Sequence, residues 1–409
     1  MRKRVVVTGL GIVSPLGNDV NEAYQNAIDG KNCVENVESF DTSDLKVKIA
    51  AQVKDFDAEK YLSRRDIRRQ DLFSQYAVYA SLEALKDAGL DENHDPYELG
   101  VILGTGMGGM QTFAKDLNRA FKGGYGKIPP MFIPMIIPNM ASGNVAIAAD
   151  AKNHSTAVTT ACAAGTHAIG DAFRHIQHGY AEVMIAGGTE AGVNPYTLAG
   201  FNALSALSTE ENPHIASRPF DKNRNGFVLG EGAGILILES LEHALNRNAK
   251  IYAEVIGYGS TSDAYHITAP SGEGATRAMK QALQDANIKP TDVDYINAHG
   301  TSTPLNDKFE TQAIKDVFED HAKALKVSST KSMHGHALGG TGGIEAVLTI
   351  KTIEKSIIPP TINYETVDEE CDLDVVPNKA IKHDVQVAMS NSLGFGGHNA
   401  IILFRKYGE

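Results

Sequence analysis

The chain of 409 residues carries a formal charge of −12, with 42% hydrophobic residues, 39 glycines, no tryptophan and 3 cysteines. That length exceeds one small core and suits two fused halves. The acidic balance excludes a general nucleic-acid surface, and no run of 18 apolar residues offers a membrane-spanning helix. Cys33, Cys162 and Cys371 are odd in number and widely spaced. Disulfides are therefore not expected, and a reducing cytoplasm is.

MRKRVVVTGLG opens with basic residues before an apolar stretch, as a signal peptide does. The apolar part is short, β-branched and ends in TGLG, so it reads as a first core strand. YLSRRDIRRQD then places Arg64, Arg65, Arg68 and Arg69 within two turns of a helix. Arg65, Arg68 and Arg69 share a face there, which is either a solvated surface or a contact for an acidic carrier. SQYAVYASLEALKDAGL is a helix, and LGVILGTGMGG a strand with a Gly-rich exit. Within it GTGMGG fits the dinucleotide pattern G-x-G-x-x-G. No acidic strand end follows about twenty residues on, so a nicotinamide site is not expected. PPMFIPMIIPNMASGNVAIAA reads as the wall of an apolar tunnel or a subunit contact. STAVTTACAAGTHAIGDAF is a short strand, a cysteine and a small-residue helix, and AEVMIAGGTEAG is a further strand.

The same order of elements returns from Ile251. IYAEVIGYGSTSDAYHI is a strand, ATRAMKQALQDANI a helix and VDYINAHGTST a strand with a Gly-bearing exit. LKVSSTKSMHGHALGGTGGIEAVLTI delivers polar residues before a small-residue helix, and VQVAMSNSLGFGGHNAIILF closes the chain. The parallel is one of pattern, not of residue identity. It predicts two βαβαβ halves, residues 1–250 and 251–409, related by a pseudo-twofold axis, with a site in the crevice between them.

Cys162 stands at a strand-to-helix junction between small residues. The helix N-terminus favours a thiolate there, and the small neighbours leave room for a thioester; a small buried hydrophobe is the bland alternative. His299 and His336 sit at equivalent strand exits, where a neutral imidazole N–H can donate to a developing enolate or oxyanion. His334 and His336 form an H-x-H pair, but no carboxylate or cysteine stands at a spacing that would complete a zinc site. Lys331 and Glu345 are candidates for a buried tuning pair, or an ordinary ion pair. NSLGFGGHNA is a Gly-dense turn between apolar strands, whose N–H groups can cradle an oxyanion.

Taken together, VTGLGIVSPLGN, TTACAAGTHAIGDA, RPFDKNRNGFVLGEGAG, NAHGTSTPLND, KSMHGHALGGTGGIEA and SNSLGFGGHNA resemble the β-ketoacyl-[acyl-carrier-protein] synthases of the thiolase superfamily, type II subgroup, over nearly the full length. The resemblance implies a thiolase-like α/β fold of five layers, α-β-α-β-α. It implies a decarboxylative condensation that lengthens a fatty acyl chain by two carbons, with no metal or redox cofactor. Cys162 would be the acylated nucleophile and His299 and His336 the catalytic histidines. Lys331 would stand near the second histidine, with Glu345 linked to it. Phe395 would gate the site, its N–H and that of Cys162 forming the oxyanion hole. Thr301 and Thr303 would hold the pantetheine arm, and Met107, Phe132 and Phe201 would line the acyl pocket. Arg65, Arg68 and Arg69 would meet the acyl- or malonyl-loaded acyl carrier protein. Family members are homodimers, and the resemblance leaves room for a monovalent cation near Glu345 and Ser390. A polyketide ketosynthase is the nearest alternative; a non-catalytic chain-length subunit lacks the cysteine present here. His334, Asn306 and Asn225 depart from the residues usual at their positions. Met107 stands where many relatives carry Ile, which leaves the acyl length open.

Overall fold

The computed structural model describes residues 2–91 and 94–408. Ten strands form the main sheet: β1 (Val5–Val13), β2 (Leu99–Gly104), β3 (Ser155–Val158), β4 (Val183–Glu190), β5 (Gly232–Ser240), β6 (Ala253–Ser262), β7 (Tyr295–Asn297), β8 (Lys326–Ser328), β9 (Val387–Gly394) and β10 (His398–Lys406). In space they run β3-β2-β4-β5-β1 and then β6-β10-β9-β7-β8. Outward from the join, the second half repeats the first strand for strand. In each half two neighbouring pairs are parallel and two antiparallel, so one strand of the five runs against the other four. The halves meet where Val5–Val7 of β1 pairs antiparallel with Ala253–Val255 of β6. This is the pseudo-twofold arrangement expected from the repeated pattern.

The reading by pattern missed β5. GAGILILES is buried at every position, an apolar run without alternation because both faces of the sheet are covered. Each half is thus βαβαβ with one further antiparallel strand.

Six helices complete the layers: α1 (Leu72–Ala88), α2 (Met140–Ala148), α3 (Ala164–Gln177), α4 (Glu273–Ala286), α5 (Pro304–Phe318) and α6 (Thr341–Lys355). α1 and α2 cover the outside of the first half, and α4 and α5 that of the second. α3 and α6 lie between, touching strands of both halves, which gives the five layers. α1 shows how the local sequence sets an element. Asp71 caps its start by accepting from the Phe73 N–H, and Gly89 ends it at φ 68°.

The central layer is thin because its contacts are made by glycine. A Cβ on Gly343 of α6 would lie 2.1 Å from the Gly234 carbonyl oxygen and 2.6 Å from the Gly188 nitrogen. Both are backbone atoms, so neither can swing aside. Gly343→Ala is expected to lower the unfolding free energy by about 1–3 kcal/mol, read as a lower urea midpoint at unchanged slope. An unchanged midpoint would contradict the packing described.

Candidate active site between the two halves

One cavity of about 430 Å³ opens in the crevice, and Cys162, His299, His336 and Phe395 all line it. The cysteine comes from the first half and the other three from the second. Cys162 and His336 occupy equivalent places, each leading into one of the two central helices.

Cys162 sits in a tight turn, Ala161–Ala163, that runs into α3. The turn needs Ala161 at φ 50°, a left-handed conformation costly for a residue with a Cβ. The backbone N–H groups of Phe395 and of Cys162 itself face the sulfur. They reach it because Gly394 has no side chain: a Cβ there would lie 2.9 Å from the Thr160 oxygen and 3.3 Å from the Cys162 nitrogen. The thiolate-favouring effect expected of the helix N-terminus is opposed by burial. Burial pushes the thiol up to about 12, and the Glu190 charge pushes the same way; Lys331 and the two N–H groups oppose them without prevailing.

The rings of His299 and His336 lie 5.4 Å apart at 85°. Burial drives both imidazoles well below their ordinary range, and the neighbouring Lys331 ammonium adds to this. Both are therefore neutral at physiological pH. His336 bonds through Nδ1 to the Thr341 hydroxyl at 3.0 Å, which leaves Nε2 for the cavity. The His299 backbone is fixed by Glu310, whose carboxylate accepts the N–H groups of His299 and Gly300 at 2.8 Å each.

Lys331 and Glu345 form the expected pair, with Nζ 2.6 Å from Oε1 and both side chains buried. Burial lifts the Glu345 carboxyl to about 7 against the pull of Lys331. Among the described residues its second oxygen has no partner, nor do the side-chain oxygens of Asn297, Ser390 and Asn391. Asn297 and Ser390 are register partners across β7 and β9. This is a buried set of hard oxygen donors of the type that suits an alkali cation. Among the described residues, no cluster of three or more His, Cys, Asp or Glu side chains offers a transition-metal site.

Thr301 and Thr303 line the cavity with their hydroxyl oxygens 2.9 Å apart, and Met107 and Phe201 line it as well. Phe132 does not; it stacks on Phe113 at 6.2 Å, outside the cavity of its own chain. Arg65, Arg68 and Arg69 are exposed. The helix expected under them is only Arg64–Ile67, so Arg68 caps its end and Arg69 lies beyond.

Two buried residues escaped the reading by pattern. Glu190, at the end of β4, accepts from the Thr105 hydroxyl and from the N–H groups of Gly106, Met107 and Gly339. It fills the Gly-rich turn that resembled a dinucleotide loop, and it ties that turn to the second half. His167 bridges Thr160 and Ser260. Neither shows a sequence signal beyond its place in a motif.

The N-terminal domain model of the β-ketoacyl synthases matches residues 2–244, and the C-terminal domain model matches residues 252–365. The chain belongs to the β-ketoacyl synthase family. It is 52% identical over 408 residues to a 3-oxoacyl-[acyl-carrier-protein] synthase 2 of Staphylococcus aureus strain COL, covering 99% of each chain. It is also 52% identical over 410 residues to the enzyme of that name from Synechocystis. Among solved structures, the ishigamide ketosynthase/chain length factor superposes with a TM-score of 0.95 at 37% identity, over 100% of both chains. A type II polyketide ketosynthase solved in complex with its acyl-carrier protein superposes with a TM-score of 0.93 at 38% identity, again over 100% of both chains.

His334 lies beside this site, next to Lys331. Its Nε2 lies 3.0 Å from the Thr330 hydroxyl, while its buried Nδ1 has no partner among the described residues. Burial, aided by Lys331, lowers it from 6.5 to about 3. Between those values the unfolded chain binds a proton that the folded state refuses, so this group weakens folding as pH falls through that window. His334→Thr removes the effect. Its stability relative to the parent should rise on acidification below about pH 6.5, by up to about 1.4 kcal/mol per unit. A stability difference that stays flat across pH would contradict the assignment.

Proposed function

We propose that the protein condenses malonyl-[acyl-carrier-protein] with an acyl group held on Cys162, with loss of carbon dioxide. The product is a 3-oxoacyl-[acyl-carrier-protein] two carbons longer, a step of fatty acid elongation. One observation carries this reading: a thiol under two backbone N–H groups shares a cleft with two neutral imidazoles. The identity to curated 3-oxoacyl synthases, 52%, exceeds the 37% and 38% to the ketosynthase structures, which favours fatty acyl over polyketide substrates.

The Cys162 sulfur attacks the acyl thioester, whose oxyanion is met by the N–H groups of Cys162 and Phe395. The carrier thiol departs with the thiol proton, and the acyl group stays on the enzyme. A malonyl thioester follows along the arm channel, where the hydroxyls of Thr301 and Thr303 hold its pantetheine. His299 and His336 donate to the thioester carbonyl. They can do so without carrying charge, and the enolate left by departing carbon dioxide is stabilised there. Its carbon attacks the acyl-cysteine, and the Cys162 thiolate leaves and regains a proton. Met107 and Phe201 bound the acyl chain and exclude the water that would hydrolyse it. Lys331, held by Glu345, keeps both histidines deprotonated. Asn297, Glu345, Ser390 and Asn391 would hold a monovalent cation, which would supply positive charge behind that pair.

Residues 1–250 thus provide the nucleophile and 251–409 the carbanion-stabilising pair. Arg65, Arg68 and Arg69 dock the acidic carrier protein. Among the described residues the outer edge of β3 has no strand beside it, and Ile147 on the neighbouring α2 is 79% exposed. A second copy pairing along β3 would cover both, giving a homodimer joined beside Cys162. Three buried free cysteines fit a cytoplasmic setting.

Cys162→Ala should gain no acyl mass from an acyl carrier substrate in intact-protein mass spectrometry. His299→Ala should still gain it, while losing roughly 100- to 1,000-fold in malonyl decarboxylation, the scale of one lost oxyanion donor. Acyl mass on the alanine variant, or full decarboxylation by His299→Ala, would overturn the reading.

A further inference from the structure

The strained turn that presents Cys162 needs something to hold it. Ala161 is left-handed, and nothing in its own side chain favours that state. The restraint comes from His167, in the first turn of α3 and only 7% exposed. Its Nδ1 lies 2.8 Å from the Thr160 hydroxyl, one residue before the strained alanine. Its Nε2 lies 3.0 Å from the Ser260 hydroxyl on β6, in the other half. The ring is also set edge-on to Tyr258 and His398, with centroids 6.4 Å and 6.3 Å away. The Thr160 carbonyl oxygen lies next to Gly394, where a Cβ would come within 2.9 Å of it, and Gly394 precedes Phe395, whose N–H faces the sulfur. Burial, with His398 beside it, holds the ring down to about 4. A neutral imidazole keeps one donor and one acceptor nitrogen, and a hydroxyl can serve either. Neither bond reaches His299, His336 or Lys331.

We propose that His167 is a positioning residue for acylation: by bridging Thr160 to Ser260 it fixes the Cys162 turn and its oxyanion donors against the opposite half, and it takes no part in stabilising the malonyl carbanion. This rests on the role given to Cys162 above. The two half-reactions therefore separate it from a residue that merely supports the fold. A general loss of structure lowers both together, whereas loss of the bridge lowers acylation alone.

The test measures, on the full-length protein, the rate of acyl-adduct formation by mass spectrometry and malonyl decarboxylation without an acyl donor. His167→Ala and His167→Phe should each slow acylation about tenfold, the scale of one lost hydrogen bond. Decarboxylation should stay within about twofold, which also shows the variants folded. His167→Asn, whose amide can still reach Thr160, should recover most of the rate, and Thr160→Val should reproduce the loss from the other end of the bond. Recovery by Phe but not Asn would assign His167 to packing and overturn the proposal. So would unchanged acylation in His167→Ala, or an equal fall in both half-reactions. If the parent protein itself fails to acylate, the reading of Cys162 falls instead, and the two failures are distinct.

Discussion

Removal of water from the crevice between the halves is the constraint on which the site depends. Burial is the largest influence on the charge of every group that matters there. It pushes the Cys162 thiol up, His299 and His336 well down and Glu345 up toward neutrality. In open water the two imidazoles would carry partial charge near pH 6.5 and the thiol would ionise more readily. A neutral imidazole still donates one N–H, so the cleft can stabilise an enolate without holding fixed positive charge on the rings. Lys331, buried behind them, reinforces that neutrality.

Such a cleft requires two rigid walls from distant parts of the chain. The repeated strand order brings Cys162 and His336, each leading into a central helix, to the lining of one cavity. The thinness of that layer, set by Gly343 against Gly188 and Gly234, brings the walls within bonding range. Glu190 and His167 then pin the join, each bonded in both halves. A site divided this way gains by the division. The nucleophile and the decarboxylating pair can be tuned separately and meet only at the substrate.

Much of this was legible in the sequence. Alternation of apolar runs with helical stretches gave the halves, and strand exits marked Cys162, His299 and His336, because chemistry collects where strands end. β5 was not legible, since its unbroken apolar run lacks the period of two that marks a half-buried strand. The protonation state of Cys162 was not legible either. A helix N-terminus is visible in sequence, but the burial that outweighs it is a property of the packed cleft. Glu190 and His167 were hidden for a related reason: their partners, Gly339 and Ser260, lie in the other half. The outward placement of Phe132 is likewise a tertiary fact that its apolar segment does not encode.

The claim of neutral, desolvated imidazoles can be tested without any substrate. Nitrogen-15 NMR of histidine-labelled protein, with His299→Asn and His336→Asn variants for assignment, reports the charge and tautomer of each ring. Both resonances should show a neutral ring throughout pH 5 to 8, with His336 keeping one fixed tautomer. A ring that takes up a proton with a midpoint near 6.5 would show a wet cleft and contradict the account.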